Sequence, residues 1–345
     1  MALYRTRMCW KVASSRCMRQ CVLMQYQPCH LSTSQKPQTV FSRIASKTKS
    51  FNAKYEQFLE RTFPNFYILY STFMKGFRTL LSEGKEVRTI MKKINSRGLC
   101  YHQLPYREME KLRQFRRDII KALPVMIISI PPFANYFVFV LMYFFPRQIL
   151  IRHFWTAKQQ KEFLDINHKM RQEVYADVLE NLQQSVPKIT EQPLQNQMFQ
   201  LLTQVQHGVH PKVTDIEVVR EAFSGPPLCF SRLDVQQVKT LSRIMFLTPH
   251  LPSFYLHGRL RSHIFEIHYL DSAMLQLGVK ELTDEEVQRA CYIRGLNSTH
   301  LSTEDCREWL RCWLQLSDKL TVSEASLLLH SMVLLSTNYL QSLKK

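Results

Sequence analysis

The sequence predicts an all-α, single-pass membrane protein, and three observations support this prediction. Only 8 of the 345 residues are glycine, well below the usual ~7%, so tight turns and glycine-rich phosphate loops are scarce. Residues 122–145 contain no Asp, Glu, Lys, Arg or His; as a helix they extend roughly 36 Å, which exceeds a hydrocarbon core of about 30 Å. After this stretch, apolar residues recur at helical spacing as far as the C-terminus.

The predicted span is interrupted by two adjacent prolines, Pro131 and Pro132. They remove two backbone donors and clash with the preceding turn, so we expect two half-helices rather than one straight helix. Polar side chains are few within the span: Ser129, Asn135, Tyr136 and Tyr143. None of these is a group that usually relays protons or binds cations inside a membrane, which argues against ion transport through this span.

The first 50 residues have the composition of a mitochondrial presequence. No acidic residue occurs between Met1 and Tyr55, whereas Arg and Lys recur among Ser, Thr and Gln. A secretory signal would need a longer apolar core than the short stretch around Cys21 to Met24. The alternative interpretation is a disordered basic tail that binds anionic surfaces.

Residues 51–121 form a basic, aromatic-rich segment before the span. Residues 1–121 hold 24 of the 46 basic residues but only 7 of the 28 acidic ones, so the basic excess precedes the span. The uncharged run 63–74 is too short to cross a membrane and predicts either an interfacial helix or a packed one. Four basic residues lie just before the span: Arg113, Arg116, Arg117 and Lys121. They are candidates for binding acidic lipid headgroups such as that of cardiolipin. The alternative interpretation is that they are ordinary charges flanking a membrane span.

Residues 147–345 predict a domain of successive amphipathic helices. One apolar stripe runs from Phe163 to Leu182, and further stripes follow between prolines and the Gly225-Pro226-Pro227 break. Three S/T-x-x-D/E capping patterns predict helices at about 284–294, 303–316 and 322–340. They begin at Thr283, Ser302 and Thr321. Gly295 is a predicted left-handed helix stop, and Trp309 and Trp313 are predicted core residues.

The sequence predicts no enzyme, cofactor, metal site or small-molecule substrate. It contains no G-x-S-x-G, P-loop or H-E-x-x-H pattern, and its nine cysteines form no CxxC pair. Five histidines lie near one another in sequence, in two groups, and we interpret them as solvated or helix-capping residues rather than metal ligands. They are His207, His210, His257, His263 and His268.

Several of these motifs together resemble the LETM (leucine-zipper, EF-hand, transmembrane) family, and its shorter animal members in particular. The similarity runs from about Leu104 to Leu340. The residues that carry it are His102 to Glu110, Leu112-Arg113, Asp118, Leu123-Pro124, Ile130 to Phe133, Phe145-Pro146, Phe154, Ala290 to Leu296 and Trp309 to Leu314.

The resemblance implies a protein of the mitochondrial inner membrane whose helical, 14-3-3-like domain, often called the ribosome-binding domain, faces the matrix. Longer members are associated with potassium/proton or calcium/proton exchange and carry coiled coils and an EF-hand. This chain has neither sustained heptads nor a D-x-[DN]-x-[DN]-G calcium loop. Calcium sensing by an EF-hand is therefore not expected of this chain.

The orientation that the resemblance implies conflicts with the positive-inside rule, which would place the basic segment 51–121 in the matrix. We follow the resemblance and expect the domain after the span in the matrix. The outer membrane is the alternative location.

Three functions are consistent with the sequence. The first is a membrane adaptor that binds lipids and tethers mitochondrial ribosomes or respiratory-chain assembly proteins. The second is a subunit or regulator of cation/proton exchange, which requires a homo-oligomer around the proline break. The third is nucleic-acid binding by the SAP-like unit 284–316, whose basic and acidic charges cancel. The predicted partner-binding residues of that unit are Arg289, Arg294, Gly295, Arg307 and Arg311.

Overall fold

The computed structural model describes residue 61, residues 64–128, residue 144 and residues 151–343. The chain divides into two compact units, residues 1–78 and 79–345. In the first unit, the described residues are helical. The presequence predicted over residues 1–50 lies outside the described ranges.

Every regular element in the described ranges is a helix, which confirms the predicted all-α class. The α-helices, numbered here in chain order, are α1 (Pro64–Arg97), α2 (Tyr106–Ile128), α3 (Ala157–Gln172), α4 (Tyr175–Ser185), α5 (Gln192–Gln206), α6 (Val213–Val218), α7 (Val235–Ile244), α8 (Ser253–Leu277), α9 (Asp284–Ile293), α10 (Thr303–Lys319), α11 (Ala325–Leu334) and α12 (Tyr339–Ser342). Short 3-10 turns lie between them at Tyr101–Gln103, Arg152–Phe154, Val186–Lys188, Arg220–Phe223, Val279–Glu281 and Val322–Glu324.

Helix α2 leads from the helical domain into the predicted span. Its first turns are buried at Tyr106 and Met109, whereas Ile120 and Ile127 near its end are 65% and 58% exposed. Among the described residues, we find no helix with both the length and the apolar character that crossing a membrane requires. Most of the predicted span, including Pro131 and Pro132, lies outside the described residues, so the span stays a prediction.

The core of the second unit forms around α8 and α10. Helix α8 packs against α2, α7, α10 and α11. On α10, Trp309 and Trp313 are both predicted core residues and both buried, with stacked rings whose centroids lie 5.7 Å apart. All ten residues of α11 are buried, and seven of them are apolar. Among the polar ones, Ser326 Oγ donates to the carbonyl of Leu228.

The predicted caps of α9 and α10 are confirmed. The backbone N–H of Glu286 donates to Thr283 Oγ1, and that of Asp305 donates to Ser302 Oγ. Gly295 has φ +116°, which confirms the left-handed stop after α9. The helix predicted at 322–340 is instead divided into a 3-10 turn, α11 and α12. Asn338 lies between α11 and α12, and its Nδ2 donates to the carbonyls of Val205 and Val209.

The stripe predicted from Phe163 to Leu182 is also divided, because the chain turns between α3 and α4. Met170, placed on the buried stripe by its spacing, is 39% exposed. The buried positions near the end of α3 are His168 and Arg171 instead. Arg171 donates to the carbonyls of Ile244 and Tyr292, so its charged group is satisfied by distant backbone.

Candidate functional site

The first part of the candidate site is a charged network between α2 and α8. Arg113 is 2% exposed; its Nη1 lies 3.4 Å from Glu110 Oε2 and its Nε lies 3.8 Å from Glu266 Oε2. Arg116 donates to Glu266 Oε1 at 2.5 Å. Together with Arg117, described next, the network holds three arginines against two glutamates and therefore retains positive charge near the predicted membrane entry.

Arg117 completes this network through His263 on α8. Its Nη2 lies 2.9 Å from Nε2 of the imidazole. Burial, followed by repulsion from Arg113, lowers the pKa of Arg117 to about 9. Burial, followed by the charge of Arg117, lowers the pKa of His263 to about 2. The ring is therefore neutral at physiological pH and accepts a hydrogen bond from Arg117.

The four headgroup candidates consequently fall into two groups. Arg113 and Arg117 are directed into the α2–α8 contact, where Glu110, Glu266 and His263 surround them. The side chain of Arg116 is 51% exposed, and Lys121 is exposed. Of the four candidates, Arg116 and Lys121 are therefore accessible from outside the protein, whereas Arg113 is buried.

A second charged cluster joins α1, α2 and the 3-10 turn after the predicted span. His153 Nε2 lies 3.0 Å from Glu83 Oε2 and 3.6 Å from Asp118 Oδ2. Arg152 lies 3.5 Å from Asp118 and 3.8 Å from Glu83. The neighbouring carboxylate of Asp118, followed by that of Glu83, raises the pKa of His153 to about 9. Two cations and two carboxylates thus hold three distant segments together.

Two of the predicted partner-binding residues, Arg294 and Gly295, are buried in the structure. Arg294 is 1% exposed and forms an ion pair with Asp271 of α8. Trp313 Nε1 and Ser317 Oγ donate to the other carboxylate oxygen of Asp271 at 2.9 and 2.6 Å. The Arg-Gly-Leu motif therefore fixes α9 against α8 and α10, and a partner cannot contact Arg294 there.

The other three predicted partner-binding residues also have internal partners. Arg307 donates to the carbonyls of Val279 and Leu282, and Arg289 donates to Gln114. Arg311 is half-exposed and pairs with Glu304. Of the five, Arg311 is the most accessible, and it is paired with Glu304, so the 284–316 unit offers little free positive charge to a nucleic acid.

A different region, residues 235–265, combines positive charge with exposed aromatic rings. We call it the basic-aromatic segment. It contains no acidic residue, and its four Lys/Arg side chains are Lys239, Arg243, Arg259 and Arg261. Phe254 is 78% exposed, Tyr255 54% and Phe246 46%. The sequence reasoning missed it, although a 31-residue run without Asp or Glu was the available signal.

The histidines that cluster in sequence do not gather into one site. The rings of His210 and His257 pack against Tyr339 and Phe230. His268 Nδ1 lies 3.4 Å from Ser317 Oγ, and His207 is exposed. Within the described ranges, the group with suitable metal-ligand spacing is instead Glu83, Asp118 and His153, which come from three separate parts of the chain.

Comparison with known proteins identifies the family. The family model described as "LETM1-like, RBD" matches residues 104–334, which include α2 to α11. The chain belongs to this LETM1-like family. It is 68% identical to a Xenopus tropicalis protein named "LETM1 domain-containing protein 1", over all of this chain and 99% of that protein. A human protein of the same name is 50% identical, over 90% of this chain and 86% of that protein.

A more distant relative is a much longer protein. The Drosophila melanogaster "Mitochondrial proton/calcium exchanger protein" is 26% identical over 76% of this chain but only 26% of its own length. The resemblance to the LETM family and to its short animal members is thus confirmed. The α2–α8 network lies inside the matched range, and so do Asp118 and His153; Glu83 precedes it.

Proposed function

We propose that this LETM-family chain is a non-enzymatic adaptor of the mitochondrial inner membrane that tethers mitochondrial ribosomes. The basic-aromatic segment is the observation that carries the proposal. Lys and Arg there can neutralise RNA phosphates, and exposed aromatic rings such as Phe254 can stack on unpaired bases. Ribosomal RNA offers both groups in its surface loops.

The membrane side of the proposal is supported by α2. Exposed Ile120 precedes the uncharged run that begins at Ala122, and exposed Ile127 lies within it. Arg116 and Lys121 lie just before this run, where acidic headgroups would be. The presequence composition and the word "Mitochondrial" in the name of the Drosophila relative both agree with this location. In this arrangement the helical domain faces the matrix, where ribosomes are located.

The second candidate function is participation in cation/proton exchange, which the name of the Drosophila relative favours. The predicted span lacks the acidic, basic and imidazole side chains that usually relay protons. Flux measurements in proteoliposomes separate the two functions. The adaptor predicts no potassium or calcium flux above that of empty liposomes, whereas coupled proton movement would support exchange.

Proximity labelling from a C-terminal tag in mitochondria tests the adaptor. We expect mitochondrial ribosomal proteins among the labelled neighbours, and their loss in a Phe254→Ser/Tyr255→Ser variant. Phe199→Ser is the matched control, since Phe199 is 54% exposed on α5, outside the basic-aromatic segment. If respiratory-chain assembly proteins are labelled and ribosomal proteins are not, the partner of the adaptor is an assembly protein and the ribosome tether is refuted. Labelling of neither class would refute the tether.

A further inference from the structure

The Glu83, Asp118 and His153 cluster has the geometry of a metal site. One ligand atom from each residue lies within 4.8 Å of the other two. Atoms bound about 2.1 Å from one metal ion are separated by about 3.0 to 3.4 Å at octahedral or tetrahedral angles. The His153–Glu83 distance of 3.0 Å fits directly, and the His153–Asp118 distance of 3.6 Å requires a shift of a few tenths of an ångström.

The burial of Asp118 independently indicates that its carboxylate can serve as a metal ligand. Its side chain is 10% exposed, and Oδ2 is buried without a hydrogen-bond partner. The nearest cationic atoms, Arg152 Nε and His153 Nε2, lie at 3.5 and 3.6 Å, and Arg152 Nε is itself unpartnered. A buried carboxylate oxygen normally accepts a full hydrogen bond or coordinates a metal.

The donor set indicates which class of ion would fit. One imidazole and two carboxylates suit first-row divalent transition metals such as Zn²⁺ and Mn²⁺. Ca²⁺ takes six to eight oxygen ligands, and Mg²⁺ retains most of its water. Arg152 would remain beside the coordinating oxygen of Asp118 as the outer-sphere partner that metal-bound carboxylates usually have.

We propose that Glu83, Asp118 and His153 bind a divalent transition metal ion that fastens α1 and α2 to the Arg152–Phe154 turn. Asp118 precedes the predicted span and His153 follows it, whereas Glu83 comes from α1. The ion would therefore hold the two chain segments that flank the span at a fixed separation. Neither the family assignment nor the proposed tether requires this site.

Mn²⁺ binding to the full chain in detergent, after treatment with EDTA, tests the proposal. Electron paramagnetic resonance counts bound Mn²⁺ and avoids the cysteine thiols that Zn²⁺ would occupy. We expect one bound ion per chain. Glu83→Gln and Asp118→Asn, which keep side-chain size and remove the charge, should each weaken binding at least about tenfold. Ca²⁺ added in competition should displace Mn²⁺ only weakly, because it prefers six to eight oxygen ligands.

Two control variants make the result specific. Glu86→Gln removes an exposed carboxylate from the same helix, where it pairs with Lys111. His300→Gln removes an exposed imidazole that pairs with Asp165. Both should bind Mn²⁺ like the wild type. Equal binding by wild type and Glu83→Gln, or no binding by wild type, would overturn the proposal. The side chain of Glu83 is 23% exposed, so its variant stays informative if Asp118→Asn does not fold.

Discussion

Replacing Asp271 by Asn should severely destabilise the helical domain, because it leaves the Arg294 guanidinium buried without a counter-charge. Both partners are at most 2% exposed, and Asp271 also accepts from Trp313 and Ser317. Breaking a buried pair by removing one partner costs about 3–5 kcal/mol. In a domain of 150–250 residues each kcal/mol lowers Tm by about 2–4 °C, so we expect a fall of roughly 6–20 °C.

Tryptophan fluorescence during urea unfolding of the full chain in detergent measures this loss, since Trp309 and Trp313 are buried in the same core. Asp271→Leu combined with Arg294→Met should recover part of the lost stability, because neither charge then remains. Glu304→Gln, which removes an exposed partner of Arg311, should change stability by less than about 0.5 kcal/mol. A cost below about 1 kcal/mol for Asp271→Asn would refute the central structural role of this pair.

Three other predictions use the same unfolding assay. Gly295→Ala should lower the free energy of unfolding by about 2–4 kcal/mol, because φ is +116° and a Cβ would lie 2.6 Å from the Met332 carbonyl oxygen. Gly258→Ala, in an open position of α8, should instead raise it by about 0.5–1 kcal/mol. Equal effects of the two variants would contradict this prediction. Thr283→Ala should cost about 1 kcal/mol through loss of the α9 cap, and an unchanged urea midpoint would contradict it. Burial lowers the pKa of His168 and His330 to about 4. The free energy of unfolding should therefore fall as pH drops from about 6.5 toward 4, with each histidine contributing about 1.4 kcal/mol per pH unit. His330→Leu should make this dependence less steep.

Features that depend on neighbouring residues could be predicted from the sequence. The caps at Thr283 and Ser302 are made within three residues, so their sequence pattern nearly determines them. Gly295 is similar, because a left-handed stop favours glycine regardless of the tertiary structure. The core tryptophans followed from the apolar periodicity of α10.

Features that depend on distant partners could not be predicted in this way. Arg171 is buried only because the carbonyls of Ile244 and Tyr292 accept its hydrogen bonds. Asn338 interrupts a long apolar run because α5 and its following turn supply acceptors. Arg294 is buried as an ion pair with Asp271, a partner 23 positions earlier in the chain that the local motif does not reveal. The Glu83, Asp118 and His153 cluster joins residues about 35 positions apart, which no local motif reveals.

Co-sedimentation of the full chain in lipid nanodiscs with purified mitochondrial ribosomes tests the tether most directly. We predict that the chain pellets with ribosomes at low salt and that binding weakens steeply as salt rises, since phosphate contacts release counterions. Phe254→Ser/Tyr255→Ser and Arg259→Gln should reduce binding, and Phe199→Ser should not. Failure of the wild-type chain to pellet with ribosomes at low salt, or equal binding by all variants, would contradict the proposed function.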